Sequence, residues 1–172
     1  MSSLAHTTVV VLGGTSGIGL ATAKAAQAEG AQVLVTGRSR ERLQAAQAEL
    51  GSGARTVALD VADEAGTRAL FEGMGRIDHI FITAGSVALD ARLAPDSASL
   101  RPAMDVRFWG AFNAAKYGAA KMNAGGSIRC FMGSNRFHVD MPRHPDLAPP
   151  RLPRIRTCEF VPSGSSVHGF AT

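Results

Sequence analysis

The segment from Val9 to Leu20, VVVLGGTSGIGL, places four glycines between an apolar run and an alanine-rich stretch. The run from Thr7 to Leu12 is β-branched and apolar and predicts a buried strand, whereas the residues from Gly17 to Glu29 follow a helical pattern. A tight turn between two such elements needs residues without a Cβ atom. The segment therefore predicts a strand, a glycine turn and a helix, in that order.

Within this turn, Gly13, Gly17 and Gly19 have the spacing GxxxGxG. A diphosphate approaches the main chain closely only where side chains are absent, and the first amides of a helix supply donors and a partial positive charge. Thr15 and Ser16 can add hydroxyl donors. The glycine pattern alone also fits a loop in which the glycines serve packing only, so other parts of the chain have to separate the two interpretations.

Strand and helix patterns alternate over most of the chain. The further predicted strands are Gln32–Thr36, Arg55–Leu59, Ile77–Thr83 and Ser127–Met132, and the further predicted helices are Ser39–Leu50, Asp63–Glu72 and Ser97–Met122. Such alternation implies right-handed crossovers and a parallel sheet covered on both faces. We predict a doubly wound, Rossmann-like α/β domain over residues 1–134, with a truncated or aberrant C-terminal part.

The segment from residue 135 to residue 172 differs in composition from the rest of the chain. It holds six of the eight prolines and three of the five histidines but no lysine. Proline lacks an amide donor and restricts the residue before it, so we predict an irregular Pro/Arg-rich tail over residues 135–172. Its possible metal ligands have spacings that match no compact site, and we predict no metal; they are His138, His144, Cys158 and His168.

A chain of 172 residues with 45% apolar residues fits one globular domain. Its formal charge is +4, but its arginines are scattered, which argues against nucleic acid and favours a basic cleft for an anionic cofactor. No apolar run approaches the roughly 18 residues of a membrane helix, and the N-terminus lacks the pattern of a signal peptide. We expect a cytoplasmic protein without a membrane or nucleic-acid partner.

The end of the second predicted strand, TGRSR, bears on the choice of cofactor. In a dinucleotide site this strand end meets the adenosine ribose, and an acid there selects the free 2′-hydroxyl. Gly37 stands where the acid would be, and Arg38 and Ser39 follow it. A guanidinium beside a hydroxyl suits a 2′-phosphate, which favours NADP over NAD. The alternative is that Arg38 and Arg40 are solvated charges at the start of a helix.

Three motifs in this order resemble those of the short-chain dehydrogenases/reductases. GGTSGIG is similar to their TGxxxGIG turn, LDV at Leu59–Val61 to their adenine-contacting Asp-Val, and TAG at Thr83–Gly85 to their NNAG, with agreement over Thr7–Ile128. The resemblance implies hydride transfer between a nicotinamide and a carbonyl or alcohol. Together with the phosphate chemistry above it gives twelve candidate cofactor residues: Gly13, Thr15, Ser16, Gly17, Ile18, Gly19, Arg38, Ser39, Asp60, Val61, Ala84 and Gly85.

The resemblance also implies a catalytic tyrosine, a lysine four residues later, a serine and an asparagine. YGAAK gives Tyr117 and Lys121 the right interval, but they precede the fifth strand, whereas the family's pair follows it. The ordinary interpretation is therefore a surface pair with the lysine stem over the ring. Ser134 is the hydroxyl nearest to the expected serine, and Arg107 takes the place of the asparagine.

Three functional interpretations follow. The first is an NADP-dependent carbonyl or alcohol oxidoreductase, the second is a dinucleotide-binding module without catalysis, and the third is a frameshifted or truncated product of such a gene. We favour an oxidoreductase origin. If the tail does not replace the strands that the family would add, a strand edge and an apolar patch stay exposed, and self-association through the 97–122 helix is expected.

Overall fold

The computed structural model describes residues 4–85, 97–132, 135–140 and 155–157, and side chains within 4–85 and 101–131. This part of the chain forms a seven-stranded sheet with the order β3-β2-β1-β4-β5-β6-β7. The strands are β1 (Thr8–Leu12), β2 (Gln32–Gly37), β3 (Ala54–Ala58), β4 (Ile77–Ile82), β5 (Met122–Met132), β6 (Asn135–Asp140) and β7 (Ile155–Thr157). The α-helices are α1 (Gly17–Ala28), α2 (Arg40–Leu50), α3 (Glu64–Glu72), α4 (Ser97–Met104) and α5 (Gly110–Ala119).

Strands β1 to β5 are parallel, which confirms the predicted doubly wound sheet. The chain adds β2 and β3 on one side of β1 and then returns to add β4 on the other side. Ligands of open α/β sheets bind at such a switch point, in the crevice outside the carboxyl ends of the strands. The topology therefore brings the ends of β1, β2 and β4 together at one place.

Both faces of the central strand are buried, as an uninterrupted apolar run predicts. Val9 and Val11 pack on one face in a cluster that includes Ala23 of α1. Leu12 points to the other face, into a cluster that includes Phe71 of α3. The sheet is thus covered on both faces, each by its own apolar cluster.

Two helices begin at side-chain caps that the sequence contains. The Ser39 hydroxyl accepts a hydrogen bond from the Arg42 N–H at 3.2 Å, and Asp63 accepts one from the Gly66 N–H at 3.1 Å. Such caps satisfy amides that the first turn of a helix leaves unpaired. Ser39 and Asp63, the first residues of two predicted helices, are thus the N-caps of α2 and α3 and precede their first helical residues.

The predicted helix over residues 97–122 is wrong in two respects. A π-helical turn, Asp105–Trp109, separates α4 from α5, and the Gly110 N–H donates to the Asp105 carbonyl across five residues. The helical region then ends at Ala119 instead of Met122. It ends there because the Lys121 carbonyl accepts a hydrogen bond from the Ile77 N–H at 2.9 Å, which draws the chain into the sheet beside β4.

The prediction of an irregular tail is wrong for residues 135–140 and 155–157. Strand β6 pairs antiparallel with β5, from Asn135 opposite Met132 to Asp140 opposite Ser127, and β7 pairs antiparallel with β6. An unpaired strand edge offers a row of N–H and C=O groups, and the proline-free segment directly after β5 satisfies them. Residues 141–154 and 158–172 lie outside the described residues. A domain boundary at residue 134 stays a prediction.

Candidate cofactor site

A cleft of about 870 Å³ opens at the carboxyl ends of β1, β2 and β4. Ten of the twelve predicted cofactor residues line it: Gly13, Thr15, Ser16, Ile18, Arg38, Ser39, Asp60, Val61, Ala84 and Gly85. The sequence motifs are up to 72 positions apart, so it is the parallel sheet that brings them together. Their contacts with a cofactor remain predictions.

The glycine turn has no room for side chains on its inner side. A Cβ atom on Gly13 would lie 2.5 Å from the Ala84 nitrogen, and one on Gly19 would overlap the Gly13 carbonyl oxygen. Gly13 also has a φ of +90°, which favours glycine. The Thr83 hydroxyl donates to the Gly13 carbonyl at 3.1 Å and fixes the turn to the end of β4. The backbone of the turn is therefore packed tightly against the residues that follow β4.

Gly17 and Gly19 do not line the cleft, although both were predicted there. Gly19 lies behind the turn, where it allows α1 to approach β4. Gly17 has a φ of +54°, and nothing lies within 4 Å of the position that a Cβ atom would take, so its conformation rather than its space requires glycine. It begins α1 at the mouth of the turn. Both glycines shape the site without forming its surface.

The N-terminus of α1 lacks an internal acceptor for its first amides. The Ser16 side chain makes no capping hydrogen bond, and the first turn holds no acidic residue. The first N–H groups of a helix have no partner within it and carry a partial positive charge. Because Ser16 lines the cleft, this end of α1 faces the space that a ligand would enter. The arrangement can bind an anion through main-chain donors.

The predicted adenosine end of the cleft carries Arg38, Ser39 and Asp60. An Arg38 guanidinium nitrogen lies 3.9 Å from an Asp60 carboxylate oxygen, and both side chains are largely exposed. The other Asp60 oxygen accepts the Ala62 N–H at 3.0 Å, which orients the carboxylate. A solvent-exposed pair at this distance is weak, so Arg38 can exchange its partner for a ligand phosphate.

Gly37, where an NAD-selective acid would stand, is packed against the glycine turn. A Cβ atom on Gly37 would lie 2.5 Å from the Thr15 Cγ2 methyl. Thr15 therefore fills the space that a side chain at position 37 would need. An acidic residue does not fit there unless Thr15 moves.

Ala84, Gly85 and Arg107 also line the cleft. A Cβ atom on Gly85 would lie 3.0 Å from the Arg107 Cγ and 3.1 Å from its Nε, so the arginine side chain rests on this glycine. The Arg107 Nε is buried and has no hydrogen-bond partner. A cation thus lies where the resemblance implies an asparagine.

Sequence reasoning missed several lining residues. They are Thr36, Glu41, Arg42, Leu59, Thr83, Val106 and Phe131. Leu59 and Thr83 belong to the recognised motifs, and Arg42 follows TGRSR within one helical turn, so their neighbours could have indicated them. Val106 and Phe131 come from the π-helical turn and from β5, and no local pattern marks either as a lining residue.

Tyr117 and Lys121 lie outside the cleft lining and contact α3 instead. The Tyr117 hydroxyl donates to a Glu64 carboxylate oxygen at 2.6 Å, and the Lys121 ammonium donates to the Glu72 carbonyl at 3.2 Å. The hydrogen bond from Tyr117, followed by that from Lys116, lowers the pKa of Glu64 below its usual value. The packing of the Lys121 stem over the ring stays a prediction, and the ammonium that lies over the ring, 4.8 Å from its centroid, is that of Lys116.

The remaining features are the candidate catalytic Ser134, the thiol of Cys130, and the expectations about metals and membranes. Ser134 lies outside the described residues, whereas Cys130 is half-buried on β5, and desolvation raises the pKa of its thiol to about 11. Among the described side chains, no three or more His, Cys, Asp or Glu residues are grouped closely enough to hold a metal ion. Within the same part of the chain, no helix has both the length and the apolar character that crossing a bilayer requires.

Curated proteins similar to this chain are oxidoreductases by name. Serine 3-dehydrogenase from Rhizobium radiobacter is 44% identical over 92 residues, which is 51% of this chain and 36% of that protein. A 2,5-dichloro-2,5-cyclohexadiene-1,4-diol dehydrogenase from Sphingobium indicum is 34% identical over 122 residues, covering 68% of this chain and 49% of that protein. The chain spans half or less of the length of these relatives.

Solved structures show the same fold, and one family model covers most of the chain. A short-chain type dehydrogenase/reductase from Mycobacterium ulcerans superposes with a TM-score of 0.70 at 28% identity, over 78% of this chain and 55% of that one. BdcA in complex with NADPH superposes with a TM-score of 0.68 at 25% identity, over 75% and 52%. The family model described as short chain dehydrogenase matches residues 7–142. With this match, the shared fold and the glycine turn, the chain belongs to the short-chain dehydrogenase family.

Proposed function

We propose that this chain binds NADP(H) and belongs to an oxidoreductase that acts on a small carbonyl or alcohol. The observation that carries the proposal is the glycine turn at the head of α1. Cβ atoms on Gly13 or Gly19 would collide with main-chain atoms, and the first amides of α1 have neither a side-chain cap nor an acid beside them. A diphosphate is the ligand chemistry that such bare donors suit.

The cofactor, when bound, supplies hydride chemistry, and the protein supplies binding and orientation. Main-chain amides of the turn would hold the diphosphate. Asp60 and Val61 would contact the adenine, and Ala84 and Gly85 would line the ribose, as the family resemblance implies. A solved structure of BdcA, whose fold is similar, contains NADPH, which supports the proposal that this fold binds such a cofactor.

NADP(H) is proposed over NAD(H) because of residues 37 to 39. Arg38 is exposed enough to meet a 2′-phosphate, and the Ser39 hydroxyl beside it can donate a hydrogen bond while its oxygen caps α2. The Thr15 methyl occupies the space of an acid at position 37. Charge complementarity and space therefore favour the same cofactor.

The test is a titration of the protein with NADPH and with NADH. Wild type should bind NADPH more tightly than NADH. Arg38→Gln should weaken NADPH binding by about 10- to 100-fold, since hydrogen bonds to charged groups contribute about 1.5–3 kcal/mol, and should leave NADH binding nearly unchanged. Arg68→Gln, on an exposed position of α3, is the matched control. Absence of NADPH binding by folded wild type would disprove the proposal.

Turnover is tested separately from binding. NADPH oxidation with a panel of carbonyl compounds should be unaffected by Tyr117→Phe, because Tyr117 contacts Glu64 outside the cleft lining. Tight NADPH binding without any oxidation would support the alternative, a dinucleotide-binding module. Loss of activity in Tyr117→Phe would restore the family's acid/base role to this tyrosine.

We also propose that the chain self-associates through an aromatic surface on α4, the π-helical turn and α5. This surface consists of Met104, Phe108, Trp109 and Phe112, each about half exposed. The Trp109 ring contacts Phe108 and Phe112 edge-on, at centroid distances of 5.1 and 6.0 Å. Contiguous exposed apolar groups of this kind mark interaction sites.

Sedimentation velocity tests this second proposal. Wild type should sediment as an oligomer, and Trp109→Lys should shift it toward the monomer because a charge would be buried without a partner. Ala25→Lys adds the same charge to an exposed position of α1 and should leave the oligomer intact. A monomeric wild type would contradict the proposal.

A further inference from the structure

Arg107 differs from the other cations of the cleft in its surroundings. Arg38 has Asp60 beside it at 3.9 Å, whereas Arg107 forms no ion pair with any described acid. Its Nε is buried and lacks an acceptor. Buried N–H donors in folded proteins are almost always paired, so the unpaired Nε shows that no described acceptor orients this guanidinium, and the Arg107 side chain brings its charge to the cleft lining.

The backbone around Arg107 aims this side chain at the cleft. The residue lies in the π-helical turn, in which the Gly110 N–H reaches back five residues to Asp105. One extra residue in a helical turn changes the direction of the side chains, and such turns occur frequently at functional sites. Gly110 lets the following helix approach Val61 closely, since a Cβ there would lie 2.8 Å from a Val61 methyl. The turn is therefore held against the wall of the cleft.

The Arg107 side chain rests on the main chain of Gly85. Its Cγ and Nε lie over Gly85, whose neighbour Ala84 touches the Gly13 position of the glycine turn. Arg107 therefore contacts the glycine that follows Ala84, and Ala84 is the residue against which the glycine turn packs at Gly13.

We propose that Arg107 binds an oxyanion of the molecules held in this cleft and so determines which of them the cleft accepts. A guanidinium presents paired N–H donors that match the oxygens of a phosphate or a carboxylate. The oxyanion has two possible sources, the diphosphate of the cofactor and a carboxylate of the substrate. The inference rests on the proposed function because it takes the cleft to be the dinucleotide site.

The experiment compares wild type, Arg107→Gln, Arg107→Lys and the control Arg101→Gln, which changes an exposed arginine of the same helical region. NADPH and adenosine 2′,5′-bisphosphate, which lacks the diphosphate bridge, are titrated into each protein. Malonate and its uncharged analogue malonamide are then titrated into each NADPH complex. Circular dichroism and thermal unfolding establish that the variants are folded.

Two results support the proposal and separate the sources. If the oxyanion is the diphosphate, Arg107→Gln should bind NADPH about 10-fold or more weakly while its affinity for the bisphosphate is unchanged. If it is a carboxylate, NADPH affinity should be unchanged, and malonate binding to the complex should be lost in Arg107→Gln and partly kept in Arg107→Lys. Malonamide should bind to none of the proteins.

The proposal is overturned if folded Arg107→Gln binds NADPH as wild type does and malonate binding is equal in both or absent from both. Arg107 would then serve only to cover Gly85. This failure is distinct from failure of the proposed function, in which wild type itself would not bind NADPH. An equal loss in Arg101→Gln would also overturn it, because the effect would then come from net charge.

Discussion

Two parts of the chain cover the same sheet in different ways. Within residues 4–85, the helices bury their apolar side chains, and the large apolar residue that stays half exposed, Ile18, lines the cleft. Within residues 101–131, α5 buries mainly small residues, Ala111, Ala114 and Gly118, and the neighbouring surface exposes four large apolar side chains. Among the described side chains, the first part exposes no large apolar residue outside the cleft. The second part exposes an apolar surface of the kind that contacts another protein.

The difference assigns the proposed cofactor binding and the proposed self-association largely to different portions of one fold. The cleft is formed largely by strand ends and turns of the first part, and its closest packing involves main-chain atoms. The second part contributes the opposite wall of the cleft through Val106, Arg107 and Phe131. Perturbing each part should therefore affect different measurements.

The largest expected effect comes from the core of the first part. Phe71 is fully buried, whereas Phe112 is about half exposed. Phe71→Ala should lower the free energy of unfolding by about 3–5 kcal/mol, because it leaves a cavity in the core. Phe112→Ala should change it by less than about 0.5 kcal/mol at protein concentrations too low for association. Urea unfolding measures both, and equal losses would remove the distinction between the two parts.

The next effect separates two glycines that pack closely. A Cβ on Gly19 would meet the Gly13 carbonyl and the Thr83 hydroxyl, whereas one on Gly118 would meet the terminal methyl of Ile80 first. Gly19→Ala should cost about 1–3 kcal/mol and weaken NADPH binding, since the turn backbone has to move. Gly118→Ala should leave NADPH affinity unchanged because a side-chain end can rotate away. Thermal unfolding and NADPH titration of both variants test the contrast.

A smaller effect concerns Cys130, which belongs to β5 but packs against the core cluster of the first part. Its folded-state pKa is raised to about 11, so the native thiol keeps its proton after the unfolded thiol, with a pKa near 9.0, has lost it. Stability should therefore fall as the pH rises from 9 to 11, by about 1 kcal/mol once partial exposure is allowed for. Unfolding of wild type and Cys130→Ala at pH 8 and pH 10.5 measures this, and parallel curves would contradict it.

The smallest effect is expected at the exposed contact between α3 and α5. Glu64 has a lowered pKa in the folded state, so its contribution to stability is present above its ordinary value of 4.5 and is lost as the pH falls through the lowered value. Tyr117→Phe should raise the pKa of Glu64 toward that ordinary value and hardly alter stability at pH 7. Carboxyl chemical shifts followed by NMR titration report the change, and an unaltered Glu64 titration would show that the hydrogen bond is not formed in solution.

The strands and helices of the first part could be predicted to within one or two residues, because their signals are local. The apolar run before Gly13 forms a strand by itself. Ser39 and Asp63 each cap the helix that directly follows them. The lining residues that could be predicted are those in motifs at the ends of strands. Arg107 was noticed only as a replacement, and its position over Gly85 depends on the π-helical turn.

The second part was predicted less well, because its structure depends on partners distant in sequence. Lys121 leaves the helix to pair with Ile77, and β6 forms beside an edge that β5 offers. Neither event has a pattern in the residues concerned. The prediction for Asn135–Asp140 was wrong because it extended the proline-rich composition of the residues after Asp140 to this segment. The segment itself contains no proline.

The contact between Thr15 and Gly37 has a practical consequence for redesign. The proposed NADP(H) preference is tied to the glycine turn through one methyl group, the Thr15 Cγ2, which lies 2.5 Å from the position that a Cβ atom at residue 37 would take. Gly37→Asp alone would therefore be a poor route to NAD(H), which lacks the 2′-phosphate, because the new side chain would meet this methyl. Thr15→Ser would remove this methyl and leave the residue-15 hydroxyl and Cβ at 3.2 and 3.5 Å, so that a Cβ atom at residue 37 would gain space.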